Sequence, residues 1–404
     1  MEISSVDYFE SQEPCEYGQR SSSIETVAQK TAPIFFQLAS YLTDPVCKAH
    51  EYFRLLSVVD TLYPESLGVS NWMRKAVLCV KITASILLAA VTTLPGIFLR
   101  GLGAYLQKEP FIYVQGPGTS KILPPDRSFS LLSWNICCVG AGYPISDGGV
   151  TPWCSRVDKV IEKIVEKDAD INCLYETFDS KSAFYLSEKL KEKGYNHIYL
   201  NIGPKAIGVS SGIMVASKYK ITQPEFSLFP KSSLVGRTKN AAKGTFSFDL
   251  ESQGASFARI YSTHLQHSEE PEFPTEEEVL ARAQQMQIIL DKALQIKDRC
   301  VVITGDLNLD DHEYENSSWK DLFQKQIDPS AKTWGGDSFC AKLVGKRVSG
   351  PLNLDHTMVL NGSAKSLETT LVETGYDPEV FKEDALSDHE GLFSKIGTYT
   401  DRNS

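Results

Sequence analysis

The feature that most limits what this chain can fold into is a strand-like run that ends in metal-binding side chains. Residues 301–304 are all β-branched, as in a central strand, and Gly305 permits a sharp turn after them. Asp306 and Asn308 lie two positions apart, so their side chains point the same way in an extended segment. A carboxylate beside an amide suits a divalent cation, an attacking water or a phosphoryl oxygen, although a strand ending in an Asx turn has the same pattern.

The same arrangement recurs along the second part of the chain. Further polar residues follow apolar runs or close the set: Asn135 after 131–134, Glu176 after 171–175, His264 after 259–263, Asp355 after 351–354, and then Asp388 with His389. These residue types bind divalent cations and transfer protons. The repetition predicts one active-site face formed by the ends of several strands.

Strand-like and helix-like segments alternate from Ser128 onward. The spacing of apolar residues predicts helices over 157–166, 183–193 and 276–296, and strands over 128–139, 171–175, 212–216, 244–250 and 257–263. This alternation predicts an α/β fold in which two packed sheets are covered by helices.

Composition divides the chain into four segments. Residues 1–30 are polar and predict disorder, and residues 31–114 carry apolar side chains at helical spacing and predict a helical region. The Gly- and Pro-rich stretch 115–126 predicts a linker. Residues 127–398 then form the predicted catalytic domain.

One hydrophobic segment, 82–99, lies in the helical region. It carries no charge, is flanked by Lys81 and Arg100, and has the minimum length for crossing a bilayer. Either it enters a membrane, with a break at Pro95-Gly96, or it is an apolar helix buried against the rest of the protein. Its basic flanks favour the membrane.

Charge and cysteine content narrow the surroundings. The 404 residues are 42% hydrophobic and 23% charged, as in a soluble globular protein, so membrane contact is expected to be local. The formal net charge of −10 opposes non-specific binding to nucleic acid. Nine cysteines without a C-x-x-C pair indicate buried thiols in a reducing, cytosolic compartment. No secretory signal pattern begins the chain, which leaves non-classical secretion open.

The order of the short motifs W-N, E-x-F-D, T-H-L, G-D-L-N, L-D-H and S-D-H resembles the endonuclease/exonuclease/phosphatase superfamily over 128–397. The resemblance implies a four-layer α/β sandwich, preceded here by the helical, partly hydrophobic region. It also implies dependence on magnesium, or on another divalent ion such as manganese, and hydrolysis of a phosphate ester.

The resemblance further implies roles for individual residues. Those that would bind the metal are Glu176, Asn135 and Asp388. Those that would activate water are His389, as general base, and Asp355, which holds its tautomer. Asp306 and Asn308 would position the water and the phosphoryl group, and Lys243 would bind substrate together with Asn308. His264 would stabilise the developing charge or assist the leaving group.

Several motifs are similar to those of the neutral sphingomyelinases: LYETFD at 174–179, THLQ at 263–266, Arg282 with Gln285, KG at 243–244 and SGIM at 211–214. They favour a phosphodiesterase that releases phosphocholine from a phospholipid near a membrane. Tyr175 replaces the usual Gln, and His356 stands where many relatives have Tyr. Both differences leave the identity of the substrate open, and neither removes a catalytic group.

The predicted partners are a phospholipid and a membrane, reached through 82–99. Trp153, Trp334 and the stretches 140–149 and 333–348 are predicted to face membrane or substrate, unless they are ordinary surface features. Two alternatives stay open. A nuclease or phosphoinositide phosphatase would keep the same chemistry, with a basic rim expected for a nuclease. A non-catalytic, membrane-anchored scaffold would be expected to lack one of the catalytic groups, all of which this chain has.

Overall fold

The computed structural model of the chain describes residues 23–62, 69–140, 150, 152–205, 208–325, 331–334, 351–374 and 386–399. Its strands, β1 to β13 in chain order, are Ile112–Gln115, Ser128–Asn135, Ile171–Tyr175, His197–Leu200, Met214–Ser217, Lys220–Leu228, Gly244–Ser252, Ala255–His264, Cys300–Asp306, Phe323–Gln324, Asp355–Leu360, Ser366–Val372 and Gly391–Gly397. Its helices, α1 to α6, are Ser23–Leu62, Val69–Leu106, Val157–Lys167, Ser180–Glu192, Glu276–Ala293 and Asp311–Glu315.

Within these residues the strands form two mixed sheets. The seven-stranded sheet has the order β1-β4-β5-β3-β2-β13-β12, and the six-stranded sheet has the order β10-β11-β9-β8-β7-β6. Each sheet has a central parallel pair, β2 with β3 and β8 with β9, and these strands are apolar on both faces because both faces are covered. In β2, for example, Leu131 faces the other sheet and Leu132 packs with the helices.

Helices cover the outer face of each sheet. Val160 of α3 and Leu186 of α4 pack on the seven-stranded sheet, and Met286 of α5 packs on the six-stranded one. Helix, sheet, sheet and helix therefore form the predicted four-layer α/β sandwich, which is confirmed, as is the partly apolar helical region before it. Strand β1 joins the first sheet by pairing with β4, although it precedes the stretch expected to be a linker.

Helices α1 and α2 form an antiparallel hairpin beside the sandwich. Helix α1 begins at Ser23, inside the segment expected to be disordered, and residues 1–22 lie outside the described residues. The expected break at Pro95-Gly96 is wrong, because α2 continues through Pro95 to Leu106. Gly96 packs closely on α1, since a Cβ there would lie 2.8 Å from Cγ2 of Thr43.

The exposure of α2 bears on the two interpretations of segment 82–99. Within the described residues, Ser70–Leu106 is the one helix long and apolar enough to cross a membrane, judged by length and composition. The most apolar stretch of this helix is 0% buried inside the molecule. The alternative of an apolar helix buried against the rest of the protein is therefore wrong.

Candidate active site

Sheet topology brings the polar strand ends to one edge of the sandwich. Asn135 ends β2 and Glu176 follows β3, and these two strands are parallel neighbours. His264 and Asp306 end the parallel strands β8 and β9 of the other sheet and are register partners. The carboxyl ends of all four strands meet here.

Two antiparallel strands begin at this same edge. Asp355 opens β11 directly opposite Asp306. His389 comes just before β13, which runs antiparallel to β2. The predicted residues are thus brought together by strand direction, although they are spread over most of the chain.

Asp306 is the centre of this cluster and is 1% exposed. Its Oδ2 accepts a hydrogen bond from Nδ2 of Asn135 at 2.9 Å and lies 3.4 Å from Nε2 of His264 and 3.7 Å from Nε2 of His389. Its Oδ1 accepts from the backbone N–H of Asn308 at 3.1 Å. One carboxylate therefore faces both catalytic histidine candidates.

His389 and Asp355 form a buried pair. Nδ1 of His389 donates to Oδ2 of Asp355 at 2.7 Å, which leaves Nε2 facing the site. Burial lowers the pKa of His389, but Asp355 and Asp306 outweigh it and raise that pKa well above its ordinary value. Burial raises the pKa of Asp355 to about 6, against the opposing effect of His389.

Glu176 is held in a left-handed backbone conformation, with φ of 59°. Such a conformation is strained for a residue with a side chain, and strained backbone of this kind clusters at functional sites. Burial, followed by the charge of Asp388, raises the pKa of Glu176 to about 7. The shift therefore reflects chiefly the burial of the carboxylate, and secondly the negative charge of Asp388 beside it.

The donor set fits a magnesium-like cation. Among the described residues, ligand atoms of Glu176, His264 and Asp306 lie within 4.8 Å of one another, and so do those of Asp306, Asp355 and His389. Carboxylate oxygens are the donors that Mg²⁺ prefers. The raised pKa of Glu176 fits as well, because a cation would favour its ionised form.

The other predicted residues lie at or beside the cluster. Lys243 is 3% exposed, its Nζ donates to the Leu265 carbonyl, and burial lowers its pKa to about 8 while Asp306 and Glu176 oppose the shift. Nδ2 of Asn308 is buried and has no hydrogen-bond partner within the described chain, so it is available to a ligand. Asn135 holds Asp306 through its Nδ2, and Asp388 is half-buried next to His389.

Several residues that support the site were not anticipated. Ser387 donates to the Asn135 carbonyl at 2.6 Å and accepts from the backbone N–H of His389 at 3.2 Å. Nε1 of Trp134 donates to the His389 carbonyl at 2.9 Å. Both residues begin motifs that carry a catalytic candidate, since Ser387 begins S-D-H and Trp134 begins W-N, so the sequence contained their signal.

The residues of the sphingomyelinase-like motifs act mainly as supports. Arg282 is buried and binds Glu313 and the Gln266 carbonyl, so it braces the segment after His264. Tyr175 lies between the sheets, where its hydroxyl donates to the Thr304 carbonyl at 3.1 Å. Nε2 of His356 donates to the Leu309 carbonyl at 2.9 Å.

The predicted membrane-facing features are only partly described. Trp153 and Trp334 are half-buried rather than exposed, and Nε1 of Trp153 donates to Asp179 at 2.9 Å. Residues 141–149 and 335–348, which make up most of the two predicted loops, lie outside the described residues.

Comparisons with known proteins agree with this architecture. The solved structures that match include SmcL, with 21% identity and a TM-score of 0.54, where the match covers 67% of this chain and 99% of that one. They also include a magnesium-bound beta toxin mutant from Staphylococcus aureus, with 20% identity, a TM-score of 0.54 and coverage of 67% of this chain and 100% of that one. A third is sphingomyelinase C from Streptomyces griseocarneus, with 20% identity, a TM-score of 0.53 and coverage of 67% of this chain and 99% of that one. At these identities the likeness shows the fold alone. No curated protein sequence matches the chain.

A family model provides the assignment. The model described as the endonuclease/exonuclease/phosphatase family matches residues 132–389, which include every residue of the cluster described above. Because this match spans more than half of the chain and the sandwich has the corresponding fold, the chain belongs to the endonuclease/exonuclease/phosphatase family.

Proposed function

We propose that this chain is a metal-dependent phosphodiesterase that hydrolyses a sphingomyelin-type phospholipid headgroup at a membrane. The observation that carries the proposal is the hydrogen-bonded pair of His389 and Asp355, which faces Asp306 and His264 at one strand edge. Membership of a phosphoesterase family supports the chemistry. The lipid substrate is supported by the motifs shared with sphingomyelinases and by the exposed apolar helix α2.

Different residues have different roles in the in-line attack of water on phosphorus. Glu176, with Asn135 and Asp388, would hold a divalent cation, which when bound would supply charge neutralisation at a phosphoryl oxygen. His389, oriented by Asp355, accepts the proton of the attacking water through Nε2. A bound cation would offset the negative charge of the nearby carboxylates and so would favour the neutral imidazole of His389, which is the form that can act as a base.

The groups on the substrate side stabilise charge. Asp306 and Asn308 position the water and the phosphoryl group, and Nδ2 of Asn308 donates a hydrogen bond that nothing else in the described chain accepts. His264 is nearly buried, and burial, with Lys243 nearby, lowers its pKa well below the ordinary value, so it acts as a neutral donor toward the leaving oxygen. Lys243 adds positive charge beneath the site.

The test measures phosphocholine release from sphingomyelin vesicles by the full chain, with Mg²⁺ or with EDTA, beside His389→Ala. Release that needs both the metal and His389 is expected. If vesicles stay intact while a nucleic acid or a phosphoinositide is hydrolysed, the lipid assignment is overturned and the catalytic assignment stands. No hydrolysis of any of these substrates would instead favour a non-catalytic scaffold.

A further inference from the structure

Helix α2 exposes a continuous apolar stripe along most of its length. Its exposed large apolar residues are Trp72, Met73, Val77, Val80, Ile86, Leu87, Leu88, Val91, Leu94, Ile97, Phe98 and Tyr105. Leu94 is 75% exposed and Val91 is 72% exposed. An exposed apolar surface of this extent marks a site of contact with a membrane or with another protein.

The opposite face of α2 is occupied by α1. Gly96 contacts Leu42 and Thr43 of α1, and Gly103 contacts Phe36. Nearer the start of α2, Nζ of Lys81 lies 5.3 Å from the centre of the Tyr52 ring. These contacts fix an antiparallel register in which residues 82–95 of α2 lie beside residues 44–51 of α1.

That part of α1 is attached to the catalytic domain. Asp44 forms an ion pair with Lys181 at the start of α4, and Phe36 is buried in the core beneath the first sheet. Helix α2 makes its own contact further along, where Nε of Arg100 donates to the Lys205 carbonyl at 3.2 Å. Helix α1 therefore lies between the apolar segment of α2 and the sandwich.

This arrangement is incompatible with α2 crossing a bilayer. A crossing helix would bring the neighbouring segment of α1, with the charged residues Asp44, Lys48 and Glu51, to the depth of the hydrocarbon core. Charged side chains are strongly disfavoured at that depth.

The charge of α2 indicates which apolar phase it meets. The helix contains no Asp or Glu, and its charged residues are Arg74, Lys75, Lys81 and Arg100. Lys75 pairs with Asp60 of α1 and Arg100 donates to the Lys205 carbonyl, so the basic residues offered to lipid are Arg74 and Lys81. Basic residues beside an apolar stripe suit the headgroups of anionic lipids. Trp72 and Tyr105, near its two ends, belong to the residue types enriched at membrane interfaces.

We propose that α2 lies in the plane of one leaflet of an anionic bilayer, with its apolar stripe in the acyl layer and α1 between it and the catalytic domain. The membrane in this proposal is the one that the proposed function requires, and the proposal specifies how the chain binds it. The chain is thus held on the surface from one side and does not span it.

Binding is tested with the full chain and vesicles of phosphatidylcholine, with or without phosphatidylserine. The triple variant Leu87→Gln, Val91→Gln, Leu94→Gln changes only exposed side chains, and the matched control is Ile122→Gln, Leu228→Gln, Leu280→Gln, which are exposed elsewhere. We expect phosphatidylserine to strengthen binding of the wild type and the α2 variant to lose at least tenfold in vesicle affinity, while the control keeps its affinity. Equal binding by both variants would overturn the proposal.

Orientation is tested by labelling with a membrane-impermeant maleimide after the chain binds sealed vesicles. Ser70→Cys and Glu109→Cys place an exposed thiol near either end of α2 and outside its apolar stripe. The background carries Cys79→Ser and Cys154→Ser, which remove the exposed thiols of the described residues, and Cys15→Ser and Cys340→Ser, which remove the two cysteines outside them. We expect both thiols to react from outside. Protection of one thiol until detergent is added would show a crossing helix and overturn the proposal.

Two further measurements distinguish membrane docking by α2 from a catalytic defect and from a dimer interface. Hydrolysis of a short-chain, micellar phosphodiester should be unchanged in the α2 variant, so a catalytic failure and a docking failure give different results. A dimer in vesicle-free buffer that the α2 substitutions dissociate would assign the stripe to a second copy of the chain and overturn the lipid proposal.

Discussion

Nδ1 of His389 lies 2.7 Å from Oδ2 of Asp355, and both side chains are buried at the junction of the two sheets. His389 comes from the segment before β13 of the first sheet, whereas Asp355 opens β11 of the second. The pair therefore joins the sheets as well as fixing the imidazole. Its geometry depends on how the two sheets pack, which connects the fold directly to the chemistry.

Replacing Asp355 by Asn should abolish most activity and keep the fold. The amide is isosteric but does not hold the Nδ1–H tautomer of His389, so Nε2 no longer accepts a proton. We expect kcat to fall by roughly 10²- to 10⁴-fold, the usual contribution of a positioned base. Circular dichroism should be unchanged. The exposed Asp298→Asn is the control, and an Asp355→Asn enzyme with wild-type kcat would contradict the role.

Removing the metal, or its proposed main ligand, should be visible in stability as well as activity. Mg²⁺ at 100 times its dissociation constant should stabilise the wild type by about 2.7 kcal/mol, because it binds the native state only. Glu176→Gln should lose most of this thermal shift and need at least tenfold more Mg²⁺ for half-maximal activity. Glu188→Gln, on the surface of α4, should behave as the wild type. An unchanged shift in Glu176→Gln would place the ion elsewhere.

Much of the architecture was predictable because the catalytic strands are strongly apolar and their ends are polar. The run that ends at Asp306, for instance, identifies β9 and its functional end together. Strands at sheet edges were missed: β1 is four residues long and β10 only two, too short for a pattern. Strand β6 has mixed polarity because its burial alternates, and its register shifts between Thr222 and Glu225.

The placement of side chains within the site was less predictable than their identity. Motif order indicated that Asn135 and Asp306 belong to one site, but no local pattern indicates that Nδ2 of Asn135 binds Oδ2 of Asp306. Such contacts arise from pairs far apart in sequence, which only the packing of two sheets brings together. The same holds for α2, whose composition suits a spanning helix but whose partner α1 has a charged segment beside it.

Arg156 should prove to be a positioning residue. It is 4% exposed, and its guanidinium donates to the carbonyls of Ile136, Cys137 and Leu386, so it ties the segment after Asn135 to the segment before Asp388. Lysine cannot reach three carbonyls in a fixed fork. We expect Arg156→Lys to lower the free energy of unfolding by about 2–4 kcal/mol.

Activity distinguishes a positioning role for Arg156 from a purely structural one. Measured well below the melting temperature, kcat of Arg156→Lys should fall at least tenfold, and the Mg²⁺ concentration for half-maximal activity should rise. The exposed Arg237→Lys is the matched control. A variant that is less stable but keeps full kcat in the folded state would show that Arg156 serves the fold alone.

His356 should make the protein sensitive to acid. Burial, and then the charge of Lys325, lower the pKa of His356 to about 3, whereas in the unfolded chain it is about 6.5. Its contribution to stability is therefore complete above pH 6.5 and is lost as the pH falls toward 3, because the unfolded state binds the proton first. Between pH 7 and pH 5 the loss is about 2 kcal/mol. Urea unfolding of His356→Gln should show a smaller decline than the wild type by that amount, with the exposed His312→Gln as control. Parallel declines in His356→Gln and wild type would mean that His356 takes up its proton in the folded state.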